Sequence, residues 1–198
     1  MNIIEPLQIA IEELSKLPTI GRKTAQRLAL YILKSDKDSV ANLIKAVTDL
    51  KEKIKFCSVC FNLSVDDTCE VCKSPKRDKS IICVVEEASD VIAIESTNEY
   101  KGLYHVLGGV LSPLSGKGVE SLKIAELVLR VNEPDVKEIV LALNPDTEGE
   151  TTSLYLTRRL KPLNKRITRL PTGLPLGGDL EFTDHATVGR AILNRIEL

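Results

Sequence analysis

Four cysteines constrain this chain more than any other feature: Cys57, Cys60, Cys69 and Cys72, in the order Cys-x2-Cys-x8-Cys-x2-Cys. Two Cys-x2-Cys turns place two thiolates each on one tetrahedral Zn²⁺, and a closed set of four protein ligands makes such a site structural and not catalytic. The short interval between the pairs implies a compact knuckle. Two disulfides are the alternative chemistry. The N-terminal Met-Asn-Ile-Ile-Glu-Pro lacks the charged and apolar pattern of a signal peptide, so a reducing, cytoplasmic setting is expected, which favours zinc. No apolar run approaches the roughly 20 residues that span a bilayer, and no membrane association is expected. The fifth cysteine, Cys83, sits inside an apolar run and reads as core.

The knuckle divides the chain into segments of different pattern. Before it, Ile4, Leu7, Ile11 and Leu14 recur at helical spacing, and Ala25, Leu28, Ala29 and Ile32 do the same after a tight Leu17-Pro18-Thr19-Ile20-Gly21 connection. A third helix is expected from Asp36, which can cap it, to about Ile54. The connection is similar to a helix-hairpin-helix, whose hairpin offers backbone N–H groups to a phosphate at the helix beginning near Gly21. Thr19 stands where that motif commonly has Gly, a departure that could tighten or rotate the hairpin, because Thr resists positive φ. Lys23 and Arg27, four apart and therefore on one helical face, could grip the same nucleic-acid backbone; an ordinary solvated face is the alternative.

After the knuckle the pattern alternates. Strands are expected over 80–85, 103–107, 136–143 and 166–170, and helices over 89–95, 119–131 and 148–160, which predicts a mostly parallel sheet flanked by helices. Glu86 follows the first strand, and Asn144-Pro145-Asp146-Thr147-Glu148-Gly149-Glu150 follows the third, so these acids could meet at the carboxyl edge of the sheet, where open sheets bind ligands. Alternating acids there could hold Mg²⁺ or simply form a solvated turn and helix start. The 108–118 connection contains Ser115-Gly116-Lys117-Gly118 but lacks the spacing of a P-loop, and reads as a long exposed contact loop. Arg158, Arg159, Lys161, Lys165, Arg166 and Arg169 form a basic run that is either solvated surface or a nucleic-acid or partner contact. A turn-rich segment from Pro171 leads to Asp184, which can cap a last helix ending near Arg195 with an apolar stripe through Val188, Ala191, Ile192 and Ile196. His105 and His185 read as structural or surface residues.

Charge narrows the partners. The chain carries 27 basic and 28 acidic side chains, but residues 1–80 hold 14 basic against 11 acidic, so only the front end is mildly basic. Nucleic-acid binding would then require local patches, oligomerisation or both.

Two resemblances sharpen the reading. Glu86 with the 144–150 stretch resembles the Toprim fold of primases and type IA topoisomerases, in which a glutamate and an Asp-x-Asp bind Mg²⁺; Asn144 replaces the first Asp and weakens such a site. The whole order also resembles the bacterial recombination mediator family RecR: a helix-hairpin-helix over 1–55, a four-cysteine zinc module over 56–75, a Toprim domain over 79–172 and a Walker-B-like tail over 173–198, to which Leu180, Glu181 and Asp184 belong. The resemblance implies an α+β chain of several modules and a DNA-repair accessory protein with no catalysis of its own. It further implies one structural Zn²⁺ per chain, at most a weakened Mg²⁺ site, and contacts to single- and double-stranded DNA through Gly21, Lys23 and Arg27. Its partners would be RecO and RecF, helping to load RecA on strands covered by single-strand-binding protein, and copies of the chain would form a tetrameric ring or a dimer. The acidic cluster Glu86, Asn144, Asp146 and Glu148 would then meet a partner or hold weak Mg²⁺, with Asp146 and Glu148 expected to serve a partner more than a metal. A Toprim enzyme using Mg²⁺ and a purely structural zinc adaptor are the competing readings.

Overall fold

The computed structural model describes residues 4–171, 173–174 and 177–195, with Leu114 described by its backbone only. Pro175, Leu176 and Ile196 of the expected tail, and Thr172 at the end of the expected Toprim span, lie outside the described residues. The chain divides into two compact units, 1–54 and 55–198.

The first unit is helical. Helices α1 (Glu5–Ser15) and α2 (Arg22–Lys34) pack through Ile11, Ala25 and Ala29, with Leu7, Leu14 and Ile20 around them. Two alanines four residues apart present a small face, which lets the helices approach closely. Helix α3 (Lys37–Lys53) begins as expected at Asp36, whose Oδ1 accepts the Ser39 N–H at 2.8 Å. No residue of α3 is buried, and Leu43, Ile44, Val47 and Leu50 are all at least half exposed.

The second unit opens with the cysteine knuckle, formed by strands β1 (Lys55–Phe56) and β2 (Leu63–Ser64) and a single helical turn, α4 (Glu70–Lys73). Its sheet contains β3 (Asp78–Val85), β4 (Gly102–Val106), β5 (Glu138–Leu141) and β6 (Arg166–Arg169), all parallel and ordered β4-β3-β5-β6. Helices α5 (Ala88–Ser96), α6 (Ile124–Val131) and α7 (Thr147–Leu160) supply the crossovers, and α8 (His185–Leu193) follows in the tail. The period-2 alternation of β3 builds both layers. Ile82 and Val84 join Leu127, Val131, Leu156 and Leu160 of α6 and α7, whereas Cys83 and Val85 join Val91 of α5 and Tyr104. Cys83 is core as expected, and burial pushes its thiol up to about 12.

Two expectations need correction. The 119–131 helix is broken: a 3-10 turn over Val119–Ser121 precedes α6, and Lys123 between them donates its N–H to Leu107 O at 2.9 Å. The 108–118 connection is not simply an exposed loop. Leu111 and Ser112 are buried, the Leu111 N–H reaches Thr152 Oγ1 at 2.9 Å, and Ser112 pairs with Lys117 across a short bridge. His105, read as a structural or surface residue, is the former, since it is fully buried. Among the described residues no helix is long and apolar enough to cross a membrane.

Candidate nucleic-acid hairpin, zinc knuckle and acidic edge

The hairpin is built by backbone conformation. Thr19 takes the left-handed region at φ 67° despite its branched side chain, so the hairpin keeps the conformation that Gly would allow instead of rotating away from it. The Ile20 N–H closes onto Leu17 O at 3.1 Å, and Gly21 becomes the N-cap of α2. Gly21 has no side chain to cap with, and the first ladder bond of the helix is Ala25 N–H to Gly21 O at 2.9 Å. The N–H groups of the first turn are therefore open to an outside acceptor. A Cβ at Gly21 would meet nothing within 4 Å, so the space beside the cap residue itself is open. Lys23 and Arg27 are exposed beside it, neither in an ion pair among the described residues.

The four cysteines converge as their spacing requires. Their sulfurs lie within 4.8 Å of one another, with Cys60 and Cys69 Sγ 3.5 Å apart. Tetrahedral Zn–S bonds of about 2.3 Å set the sulfurs about 3.8 Å apart, so this donor set fits zinc. The Cys69 N–H donates to Cys57 Sγ at 3.3 Å. Burial opposes ionisation of Cys57, but that N–H and those of Cys60 and Val59 pull its thiol down to about 7. Burial and neighbouring thiols push Cys69 up to about 11, and the Cys72 hydrogen bond and burial push Cys60 up. A cation supplies the charge that would let all four sulfurs ionise together. The knuckle also covers one edge of the sheet: Val106 N–H donates to Cys60 O at 2.8 Å, and the Phe61 ring sits edge-on against His105 at 5.5 Å.

At the carboxyl ends of β3 and β5, Glu86 and Asn144 meet as expected. Glu86 is buried, and its two carboxylate oxygens accept the main-chain and side-chain N–H groups of Asn144. Burial raises its pKa, against the pull of those bonds. Asp146 and Glu148 do not bond to Glu86. Asp146 is the N-cap of α7, accepting the Gly149 N–H at 2.8 Å, and Glu148 accepts from Ser112 Oγ. Gly149 is obligatory here, because a Cβ would stand 2.1 Å from Asn144 O.

Sequence reasoning missed Ser112 and Thr152, which tie the 108–118 connection to α7, because nothing in their spacing signals a partner some 40 residues away. It also missed Arg77, which holds the Glu95 carboxylate that Tyr104 Oη reaches at 2.6 Å. The basic run separates: Lys165 donates to the carbonyls of Glu133 and Val136, Arg166 pairs with Glu138, and Arg169 with Glu150. Arg158, Arg159 and Lys161 are exposed. In the tail, Asp184 caps α8 through the Thr187 N–H at 2.9 Å, Leu180 and Glu181 lie exposed in a 3-10 turn, and His185 is exposed as expected.

Four family models match the chain in succession: RecR, helix-hairpin-helix over 7–51; the four-cysteine zinc finger domain of RecR over 54–74; Toprim domain over 80–171; and RecR, C-terminal over 173–196. The Recombination protein RecR of Rippkaea orientalis is 53% identical over 193 residues, 98% of this chain and 98% of that protein. Those of Gloeothece citriformis and Nocardioides sp. are 52% and 51% identical, over 98% and 96% of this chain and 96% and 95% of theirs.

Proposed function

Since the chain belongs to the RecR family of recombination proteins, we propose that it is a DNA-binding recombination mediator without catalysis of its own, which works with RecO and RecF to load RecA on protein-coated single strands. The observation that carries this reading is the uncapped start of α2 at Gly21, flanked by exposed Lys23 and Arg27. Backbone N–H groups and two cations in one place suit a phosphodiester and carry no base recognition. That is the chemistry a mediator needs, since it acts on strands of any sequence. The same hairpin is expected to serve single- and double-stranded DNA.

A nearly neutral chain gains nucleic-acid affinity by repetition. A homo-tetrameric ring, or a dimer, would present Lys23 and Arg27 several times and raise the effective concentration of each contact. The exposed apolar residues of α3, together with Leu180 and Phe182 in the tail, support assembly through the terminal regions, because so much apolar surface is unusual on a monomer. Zinc held by Cys57, Cys60, Cys69 and Cys72 has a structural role here, and the setting is cytoplasmic.

Asp146 and Glu148 are exposed at the acidic edge and are assigned to contact with RecO. Replacing both with Ala is expected to weaken RecO binding and to leave DNA binding intact; equal loss of both would refute the assignment. The mediator reading is tested by DNA binding of the wild type beside Lys23→Glu/Arg27→Glu, with Mg²⁺ present and the DNA examined for cleavage.

A further inference from the structure

The acidic edge presents donors where a divalent cation needs acceptors. Glu86 Oε1 accepts the Asn144 main-chain N–H at 2.6 Å, and Glu86 Oε2 lies 2.8 Å from Asn144 Nδ2. An ionised carboxylate has acceptors only, so the Asn144 atom facing it must be the amide nitrogen, with its two protons. Those protons occupy the direction from which a hard cation would approach Glu86, and such a cation would take oxygen ligands in their place.

The surrounding acids are engaged in the same way. Asp146 Oδ1 accepts the Gly149 N–H, and Glu148 Oε1 accepts from Ser112 Oγ. Glu150 pairs with Arg169 at 2.9 Å and with Arg190 at 3.5 Å. Asp90 Oδ2 accepts the Glu87 N–H at 2.8 Å, closing a capping box on α5. Each carboxylate at this edge therefore already has an N–H, an O–H or a guanidinium against it. The backbone holds the arrangement, because the contact of Asn144 O with the Cβ-less Gly149 fixes the turn that aims the amide at Glu86.

We propose that the Asn144 side chain stands in place of a divalent cation, stapling the ends of β3 and β5 through Glu86, so that the Toprim edge of this chain holds no Mg²⁺. Asn144→Asp would then exchange the donor for a second carboxylate against Glu86. Like charges so close favour a proton or a cation between them, so the variant gains a hard-cation site that the wild type lacks.

The experiment uses the zinc-loaded full chain and Mn²⁺ as the probe, with bound Mn²⁺ read by electron paramagnetic resonance. Thermal melts are recorded in parallel with and without Mg²⁺ at matched ionic strength. The wild type is expected to take up no Mn²⁺ at this edge and to melt at the same temperature in both conditions. Asn144→Asp is expected to melt lower without the cation, and to recover by about 4 °C at a Mg²⁺ concentration tenfold above its dissociation constant. Saturable Mn²⁺ uptake by the wild type that Glu86→Gln abolishes would overturn the proposal, as would a folded Asn144→Asp chain that takes up none. If Asn144→Asp does not fold in either condition, the wild-type titration decides alone: no uptake upholds the staple, and Glu86-dependent uptake overturns it. DNA binding through the hairpin is read separately, so either reading can fail without the other.

Discussion

Thr19 holds a left-handed backbone that its side chain disfavours, and the cost of that conformation is about 1 kcal/mol. Thr19→Gly is therefore expected to stabilise the first unit by about that amount, less the extra freedom Gly has in the unfolded chain. Denaturant unfolding followed by helix content measures it, and destabilisation would show that the threonine side chain makes a contact that compensates. His105 is a second residue under constraint. Its Nε2 donates to Lys123 O at 2.8 Å, its Nδ1 has no partner among the described residues, and burial pushes its pKa down to about 4. The native ring stays neutral where the unfolded one, titrating near 6.5, takes a proton. Stability contributed by the neutral ring is thus complete above about pH 6.5 and is lost as pH falls toward 4, by up to about 3 kcal/mol. His105→Phe should remove that part of the acid sensitivity, although it loses the bond to Lys123. Unfolding free energies at pH 7 and 4.5 compare the two chains, and parallel losses would contradict the account.

At the scale of elements, the zinc knuckle is an edge cover for β4 as well as a module. Cys60 O accepts the Val106 N–H on the side of β4 away from β3. Chelating zinc should therefore expose the Val106 amide to hydrogen exchange while Val84, inside β3, stays protected. Equal protection of Val106 with and without zinc would mean that the knuckle keeps its shape without the metal. The knuckle, the hairpin and the strand–helix alternation were legible in the sequence because each rests on local spacing: Cys-x2-Cys, Leu-Pro-Thr-Ile-Gly, and apolar periods of two or of three to four. The docking of Ser112 on Glu148, the Leu111 bond to Thr152 and the break before α6 were not. They depend on which elements the parallel topology brings together, and periodicity carries no information about that. The acidic edge was half legible. Glu86 and Asn144 were placed at one sheet edge correctly, but their mutual hydrogen bonds required the turn at Gly149 to be seen.

At the scale of the whole molecule, the net charge of −1 sets the problem that the proposed assembly solves. One hairpin with two cations makes a weak phosphate contact, and repeating it in several subunits makes a useful one. The measurement that tests this most directly is the salt dependence of single-stranded DNA binding, wild type beside Lys23→Glu/Arg27→Glu, with Mg²⁺ present and the DNA recovered afterwards. Intact DNA is expected, with wild-type affinity that falls steeply with salt. In the variant, binding is much weaker and the slope of log K against log salt is shallower by about 1.4 for each subunit that engages the strand. Unchanged binding and slope in the variant, or DNA cleaved in a way that Asp146→Ala abolishes, would contradict the mediator reading.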